Sequence, residues 1–262
     1  MVWEEKMIFD THTHYDDEAF DDDREEILGS LKENQIERIV NVGADIASSK
    51  MTIALTQEYS FLYGAVGVHP SETKELTDGD MDWIRRASRL PKIVAIGEIG
   101  LDYYWGEPEK EIQKKWFREQ LKIAREETLP VIIHSREAAQ DTLEIMKEEH
   151  AEEMGGVIHC FSYSIEMARE YMQMGFYIGI GGVVTFKNAK KLKEVVKQIP
   201  LERIVLETDC PYLAPEGRRG ERNCSLYLPR VVQEIASLKQ IEEDMVREQT
   251  YQNALRLYRM DS

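Results

Sequence analysis

Eight short apolar runs, separated by longer amphipathic stretches, constrain the fold of this chain more than any other feature of its sequence. A short apolar run bounded by polar residues is typical of a buried β-strand. Because the runs are largely continuous and do not alternate with polar residues, they indicate a parallel sheet that is buried on both faces. The predicted strands are Met7–Phe9, Arg38–Val42, Tyr63–Val68, Ile93–Ile99, Val131–Ile133, Val157–Ile158, Phe176–Ile180 and Ile204–Leu206.

The stretches between the runs have the residue spacing of amphipathic helices. The predicted helices are Asp23–Glu33, Ala47–Glu58, Asp80–Arg89, Lys110–Glu126, Ala138–Glu149, Ile165–Met174, Asn188–Gln198, Tyr227–Leu238 and Glu242–Leu257. Eight strands that alternate with helices over about 250 residues predict an α/β fold of the closed (β/α)8 TIM-barrel type. An open, doubly wound sheet is the alternative, but no Gly-x-Gly-x-x-Gly motif follows the first strand to support it.

The composition is that of a globular protein, with 42% hydrophobic and 31% charged residues. Those proportions supply enough apolar material for a large core. No linker, low-complexity stretch or charge block divides the sequence, so we expect one domain over residues 1–262. We expect that domain to be a monomer.

Several features bear on the location of the protein. No apolar run approaches the roughly 18 residues of a membrane span, and Met1–Lys6 lack the pattern of a secretory signal. The three cysteines, Cys160, Cys210 and Cys224, show no close paired spacing, which is typical of a reducing compartment. We therefore expect a cytoplasmic protein that does not associate with membranes.

The formal net charge is −16, from 33 Lys and Arg against 49 Asp and Glu. This balance argues against a protein that coats nucleic acid through a broad basic surface. It leaves open an enzyme that contacts a few phosphates within its site.

Five of the six histidines lie at the C-terminal ends of predicted strands, where barrel enzymes build their sites. His12 and His14 point to the same side, because alternate side chains of an extended strand share a face. Two imidazoles that converge in this way are typical of a divalent metal site, whereas a pair of surface histidines is the alternative for this motif alone. The other three are His69, His134 and His159, after the third, fifth and sixth strands.

Two carboxylates share this placement: Glu98 ends the fourth strand and Asp209 follows the eighth. A charged side chain beside an apolar run is costly unless it is paired or bound to a metal. A cap, an ion pair or a buried hydrogen bond explains any one of these residues alone, but ligand-type residues at six strand-end positions predict one metal site at the barrel mouth. Glu207 either orients a ligand from behind or forms a structural ion pair.

The motifs at these positions together resemble the TatD family of metal-dependent deoxyribonucleases, which belongs to the amidohydrolase-like metal barrels. The resemblance covers nearly the whole chain, in order, and the motifs are highly specific as a set. They are Asp10–His14, Gly67–Pro70, Gly97–Tyr103, Ile133–Arg136, His159–Ser162 and Glu207–Leu213.

The resemblance implies a cofactor of two divalent metal ions, with Glu98 as the bridging ligand. The other implied ligands are His12, His14 and Asp209 for one ion and His134 and His159 for the other. The identity of the ions stays open among Mg, Mn and Zn, since histidines favour the softer of these and a phosphate substrate favours Mg or Mn.

Asp209 is also the predicted catalytic base, because a carboxylate after the eighth strand is placed to accept a proton from the attacking water. The predicted substrate-binding residues are His69, Tyr103, Lys187 and Arg222. Each has a structural alternative. His69 is then a turn histidine before Pro70, and Tyr103 packs at the barrel rim with its aromatic neighbours Tyr104 and Trp105. Lys187 then lies on a solvated helix face and Arg222 forms an ion pair.

We expect a metal-dependent hydrolase that cleaves phosphodiester bonds of DNA, at ends or in single strands, as a 3′–5′ exonuclease. One alternative is an amidohydrolase-type enzyme acting on a small ester, amide or phosphoester, and another is a barrel that binds metal and a partner without turnover. The late loop departs from the family pattern, because Cys224-Ser225 stand where relatives often carry Glu-Pro. That departure puts substrate preference in doubt more than the chemistry.

Overall fold

Eight parallel strands form one sheet whose order follows the chain, in the computed structural model that describes residues 6–261. The strands are β1 (Ile8–Thr13), β2 (Ile36–Val42), β3 (Leu62–Val66), β4 (Ile93–Asp102), β5 (Val131–Arg136), β6 (Gly156–Ile158), β7 (Tyr177–Ile180) and β8 (Ile204–Leu206). Each strand pairs with the next in parallel. Every predicted strand is present.

The sheet closes where β1 meets the segment that follows β8. Thr13 and Cys210 form a parallel bridge, and the Asp209 amide donates to the His12 carbonyl at 3.0 Å. The His14 amide in turn donates to the Cys210 carbonyl at 2.9 Å. The predicted (β/α)8 barrel is therefore confirmed, and three of the predicted metal ligands, His12, His14 and Asp209, lie on its closing seam.

Helices connect the strands and surround the sheet. They are α1 (Arg24–Ser30), α2 (Ile46–Glu58), α3 (Asp78–Ala87), α4 (Lys110–Glu127), α5 (Ala139–Glu148), α6 (Ile165–Gln173), α7 (Lys190–Gln198), α8 (Leu228–Lys239) and α9 (Glu243–Leu257). Residues Asp45 and Ser48 form a capping box that begins α2. In α9, Asn253 donates to the carbonyl of Ile204 at the start of β8, so this helix covers the N-terminal end of the barrel. Between residues 6 and 261, no helix is long and apolar enough to cross a bilayer.

The interior of the barrel is a compact apolar plug built from alternate residues of seven strands. Its members are Phe9, Val40, Val42, Ala65, Ala95, Ile132, Val157 and Val205, each at most 1% exposed. The residues between them face outward and pack against the helices. The plug fills the lower part of the barrel and leaves the C-terminal end to polar side chains.

Three strands run further than the apolar pattern predicts: β1, β4 and β5 continue to Thr13, Asp102 and Arg136. The hydrogen-bond ladder uses only backbone groups, so a strand does not end where polar side chains begin. As a correction, Glu98 and His134 lie within their strands and not at the ends. The pairing register is irregular between Asp10 and Thr13 and between Ile96 and Ile99, which re-aims the side chains there.

Replacing Ile132 with alanine tests the interior plug. Ile132 is fully buried and packs against Gly97, whose added Cβ would lie 2.6 Å from it. We expect Ile132→Ala to lower the free energy of unfolding by about 2–5 kcal/mol through a cavity that cannot collapse. Equilibrium urea denaturation measures the change. The control Met51→Ala removes a side chain that is 45% exposed and should cost less than about 0.5 kcal/mol; equal losses in both variants contradict the assignment of the plug.

Candidate metal centre

Six side chains converge at the C-terminal end of the barrel, and they are the six predicted metal ligands. They are His12, His14, Glu98, His134, His159 and Asp209. The Nε2 atoms of His12 and His14 lie only 3.0 Å apart, and the rings of His12 and His159 stack with centroids 3.6 Å apart. The strands that contain or precede these residues place all six side chains at the same point.

Glu98 lies between two pairs of histidines and turns one carboxylate oxygen toward each pair. Its Oε2 atom is 3.5 Å from His12 Nε2 and 3.8 Å from His14 Nε2. Its Oε1 atom is 2.7 Å from His134 Nδ1 and 3.7 Å from His159 Nε2. A carboxylate that faces both ways has the arrangement a bridging ligand requires.

Asp209 completes the cluster on the side of the barrel seam. Its Oδ1 atom lies 3.7 Å from His12 Nε2, 3.5 Å from His14 Nε2 and 3.6 Å from His159 Nε2. Its side chain is 17% exposed, against 5% for Glu98. Asp209 is therefore the cluster carboxylate that a substrate or water reaches more easily.

The ring orientation of two histidines is set by acceptors behind them. His14 Nδ1 donates to the Val42 carbonyl at 2.7 Å, and His159 Nδ1 contacts Glu207 Oε2 at 3.2 Å. In the neutral ring, a proton held on Nδ1 leaves the Nε2 lone pair free to face the cluster. The contact with His159 is compatible with both roles predicted for Glu207, because it orients the ring and forms an ion pair when the ring is protonated. A Cβ on Gly179 would lie 2.3 Å from Glu207 Oε2, so that glycine makes room for the carboxylate.

His134 is oriented in the opposite sense, through Asp102. Its Nε2 atom lies 3.1 Å from Asp102 Oδ2, which leaves Nδ1 to face Glu98. The other Asp102 oxygen accepts the Tyr104 amide at 2.9 Å. Asp102 thus fixes the position of the predicted ligand His134 relative to the loop that follows β4.

The cluster carries charges that favour a bound cation. Burial opposes ionisation of Glu98, but His159, His12 and His134 lower the pKa of this carboxyl well below its usual range. Conversely, burial alone would lower the pKa of His14, but Asp209 and Glu98 raise it to about 9. The same competition between burial and carboxylates raises the pKa of His159 to about 10. The ionised carboxylates therefore demand positive charge, which protons supply in the absence of an ion.

The donor set fits divalent metal. Imidazole nitrogens and carboxylate oxygens are the ligands that Zn and Mn prefer, and the groups His12, His14, Asp209 and His12, Glu98, His159 each bring three such atoms within 4.8 Å of one another. The fixed acceptors behind the rings are a usual companion of metal-binding histidines.

Comparison with known proteins supports the same conclusion. The family model described as TatD related DNase matches residues 9–259. This chain belongs to the TatD family. It is 48% identical over 255 residues to the uncharacterized metal-dependent hydrolase YabD of Bacillus subtilis, across 97% of this chain and 100% of that protein.

Other TatD relatives agree. YcfH of Escherichia coli, also described as a metal-dependent hydrolase, is 33% identical over 98% of this chain and 97% of its own length. The crystal structure of the TatD homologue YjjV from Escherichia coli superposes with a TM-score of 0.92 at 31% identity, across 97% of this chain and 98% of that one. As a TatD protein with this donor set, the chain is a metal-dependent hydrolase.

His69 lies at the edge of the cluster, where it is also a turn residue. The Ser71 amide lies 3.2 Å from His69 Nδ1 and the Ser71 hydroxyl lies 2.7 Å from it; in the tautomer that accepts from the amide, Nε2 carries the hydrogen. Nε2 is 4.0 Å from Glu98 Oε1. Burial, with His134 next in size, lowers the pKa of His69 to about 3, so this ring stays neutral. The substrate-binding role and the turn role predicted for His69 are therefore compatible with this one conformation.

The remaining predicted substrate residues lie outside the cluster. The Tyr103 hydroxyl donates to Asp141 at 2.6 Å, and the ring packs under Lys110. Lys187 is exposed after β7. Arg222 forms a bidentate ion pair with Asp23, at 2.8 and 2.5 Å, so its guanidinium already has a structural partner. A substrate contact from any of the three stays a prediction.

Two residues of the site were missed by reasoning from the sequence. Asp102 orients His134, and its signal was the spacing Glu98-x-x-x-Asp102 within one strand. Asp10 is fully buried beside the seam, where it accepts hydrogen bonds from the Thr208 amide and hydroxyl and from the Ser225 hydroxyl. Asp10 precedes the first histidine by two residues, but nothing in the pattern shows that it faces β8.

Replacing Glu207 with glutamine tests how the rings are oriented. The glutamine oxygen can still accept the Cys160 amide, which donates to Glu207 at 2.6 Å. Its amide N–H then faces His159 Nδ1, favours the tautomer protonated on Nε2 and blocks that atom as a ligand. We expect metal affinity to fall about 10- to 100-fold, measured by competition with a metallochromic chelator. Glu202→Gln, at an exposed position, is the control; unchanged affinity in Glu207→Gln rules the orienting role out.

Proposed function

We propose that this protein is a deoxyribonuclease that cleaves phosphodiester bonds with two divalent metal ions. The observation that carries the proposal is the position of Glu98, with one oxygen toward His12 and His14 and the other toward His134 and His159. Two ligand sets that share one carboxylate suit a phosphodiester, because two bound ions would stabilise both the attacking and the leaving oxygens of the displacement. The family description as a DNase supports the same substrate class.

The candidate centre would hold one ion through His12, His14 and Asp209, and another through His134 and His159, with Glu98 shared. Divalent ions held by these residues would lower the pKa of a water molecule and neutralise the non-bridging oxygens of a phosphate. Reconstitution with Mg, Mn and Zn in turn distinguishes which of these ions supports cleavage.

In this proposal Asp209 accepts the proton that the attacking water loses. Burial raises the pKa of this carboxyl, but His159 and His14 outweigh burial and lower it, so Asp209 is ionised at neutral pH. It is also more exposed than Glu98, and a general base must reach the proton that it removes.

His69 donates a hydrogen bond to a phosphate oxygen in this proposal. Its Nε2–H points toward the side of the cluster formed by Glu98 and His134, and the ring is neutral across the physiological range. A neutral donor positions the phosphate without adding a titratable charge. His69 therefore orients the phosphate, and the bound metal ions would supply the positive charge.

Reconstitution with single metals tests the proposed function. The protein is stripped with a chelator, reloaded with Mg, Mn or Zn, and incubated with 5′-labelled single-stranded DNA, blunt duplex DNA and a panel of small esters and amides. We expect metal-dependent shortening of DNA from its 3′ end, and two metal ions per chain by elemental analysis. Glu98→Ala should lose at least one ion and most DNA cleavage.

Other outcomes overturn the proposal. Turnover of small esters or amides with no cleavage of DNA in any metal assigns a small-molecule hydrolase. A protein that binds metal but turns over none of these substrates is a non-catalytic barrel. Internal cleavage of a circular single strand replaces exonuclease with endonuclease action, and cleavage by Glu98→Ala at the wild-type rate removes the two-metal arrangement.

Replacing Asp209 with asparagine tests the catalytic base. Asp209 has a left-handed backbone, with φ of 57°, which asparagine tolerates as well as aspartate. The variant keeps one ligand oxygen but cannot accept a proton. We expect kcat on DNA to fall about 10²- to 10⁴-fold while elemental analysis still finds substantial metal. Asp244→Asn, exposed on α9, is the matched control; near-normal kcat in Asp209→Asn excludes the role.

A further inference from the structure

We propose that Tyr104, Trp105 and Arg136 form a subsite that binds an unstacked nucleobase of single-stranded DNA beside the metal centre. We call these three residues the rim platform. The inference rests on the proposed nuclease function and adds to it the residues that bind a base of the strand beside the centre.

The rim platform lies where β4 and β5 end at the barrel mouth. Arg136 is the last residue of β5, and Tyr104 is the second residue after β4. The Tyr103 amide donates to the Arg136 carbonyl at 2.9 Å, so the pairing of the two strands extends as far as the platform. Arg136 and Tyr104 therefore lie on or beside paired strands, and Trp105 lies in the loop that leads from β4 to α4.

Both aromatic rings of the rim platform are open to solvent. Tyr104 is 50% exposed and Trp105 is 66% exposed, and their ring centroids lie 4.8 Å apart. Their neighbour Tyr103, by contrast, packs against the core. Tryptophan is usually well buried, and large apolar groups exposed together beside a site mark a binding surface.

Arg136 lies across the face of Tyr104, with its guanidinium carbon 3.8 Å from that ring centroid and 5.7 Å from the Trp105 centroid. Arg85, Arg89 and Arg118 all pair with glutamates. Among residues 6–261, however, no carboxylate oxygen lies within 4.0 Å of the Arg136 guanidinium. A stacked guanidinium keeps its N–H groups and its second face available to a phosphate or a base.

The rim platform is joined directly to the candidate metal centre. Asp102 contacts His134 Nε2 at 3.1 Å with one oxygen and accepts the Tyr104 amide at 2.9 Å with the other. His134 precedes Arg136 by two residues in the same strand. A nucleotide whose base stacks on the platform would therefore place its phosphate near the metal centre.

A nucleobase of a single strand is the occupant that these groups favour. Flat rings and a flat cation bind a planar π system, and stacking on such a surface strengthens binding by about 5- to 150-fold per base. Bases in a duplex are already stacked on each other and cannot use the platform. The net charge of −16 also repels a rigid duplex that carries two phosphates per base pair, so stacking must supply affinity that charge does not.

Binding in the presence of a chelator tests the rim platform without turnover. Fluorescence anisotropy compares a labelled oligothymidylate with an oligomer of equal length and charge in which tetrahydrofuran replaces every nucleoside sugar and base. We expect wild type to bind the oligothymidylate at least fivefold more tightly. Trp105→Ala should reduce that preference to less than twofold, whereas Trp105→Phe should keep most of it.

Two further measurements separate base binding from charge and from folding. Arg136→Ala should weaken binding of both oligomers, and Arg86→Ala, which removes an exposed arginine from α3, should leave both unchanged. Met245→Ala removes an exposed side chain from α9 and should keep the wild-type preference. Trp105→Ala should also lower kcat/KM on single-stranded DNA at least fivefold, while its hydrolysis of methyl p-nitrophenyl phosphate stays within twofold of wild type.

The outcomes distinguish this inference from the proposed function. If wild type cleaves single-stranded DNA and Trp105→Ala binds and cleaves it equally well, the rim platform is overturned and the nuclease stands. If wild type hydrolyses only small esters and binds the two oligomers equally, the nuclease function and the rim platform are both overturned.

Discussion

The buried carboxylate of Asp10 holds the seam on which the candidate centre depends. A carboxylate without solvent is costly unless hydrogen bonds replace water, and Asp10 receives them from the Thr208 amide, the Thr208 hydroxyl and the Ser225 hydroxyl. Burial still raises the pKa of Asp10 to about 7, although these hydrogen bonds oppose the shift. Since His12 is two residues from Asp10 and Asp209 is next to Thr208, the bonds that close the barrel also fix two of the candidate ligands.

Much of this architecture is predictable from sequence, because the signals that set it are local. The order and number of strands follow from apolar runs, and the cluster follows from ligand-type residues near five of the eight strands, whose C-terminal ends must meet. The length of β4 was not predictable in this way: it continues through Glu98 to Asp102, since backbone pairing is indifferent to the polar side chains that end an apolar run. The contact of Asp102 with His134 depends on register between strands, and that information is not contained in either strand alone.

Under the proposed function, this acidic protein acts on an anionic polymer and needs its positive charge at the point of reaction. Much of the surface charge of this chain is neutralised locally, as in the pairs of Arg85 and Arg118 with glutamates on neighbouring helices. The candidate centre, by contrast, brings carboxylates close together. These carboxylates attract divalent cations, which would then face the substrate. Under the proposed function, bound metal ions would add attraction for a phosphate at the centre, and the surrounding negative charge would limit non-specific adhesion of nucleic acid.

The late loop shows how a departure from the family pattern is absorbed. Cys224 and Ser225 stand where relatives often carry Glu-Pro, and both are buried, at 7% and 0% exposed. The Ser225 hydroxyl donates to Asp10 at 2.7 Å and accepts from Tyr15 at 2.9 Å, so this residue belongs to the seam and not to the open mouth. Because its partners lie behind His12, the departure acts on the support of the site. Groups that reach substrate must be sought on the exposed loops that surround the mouth.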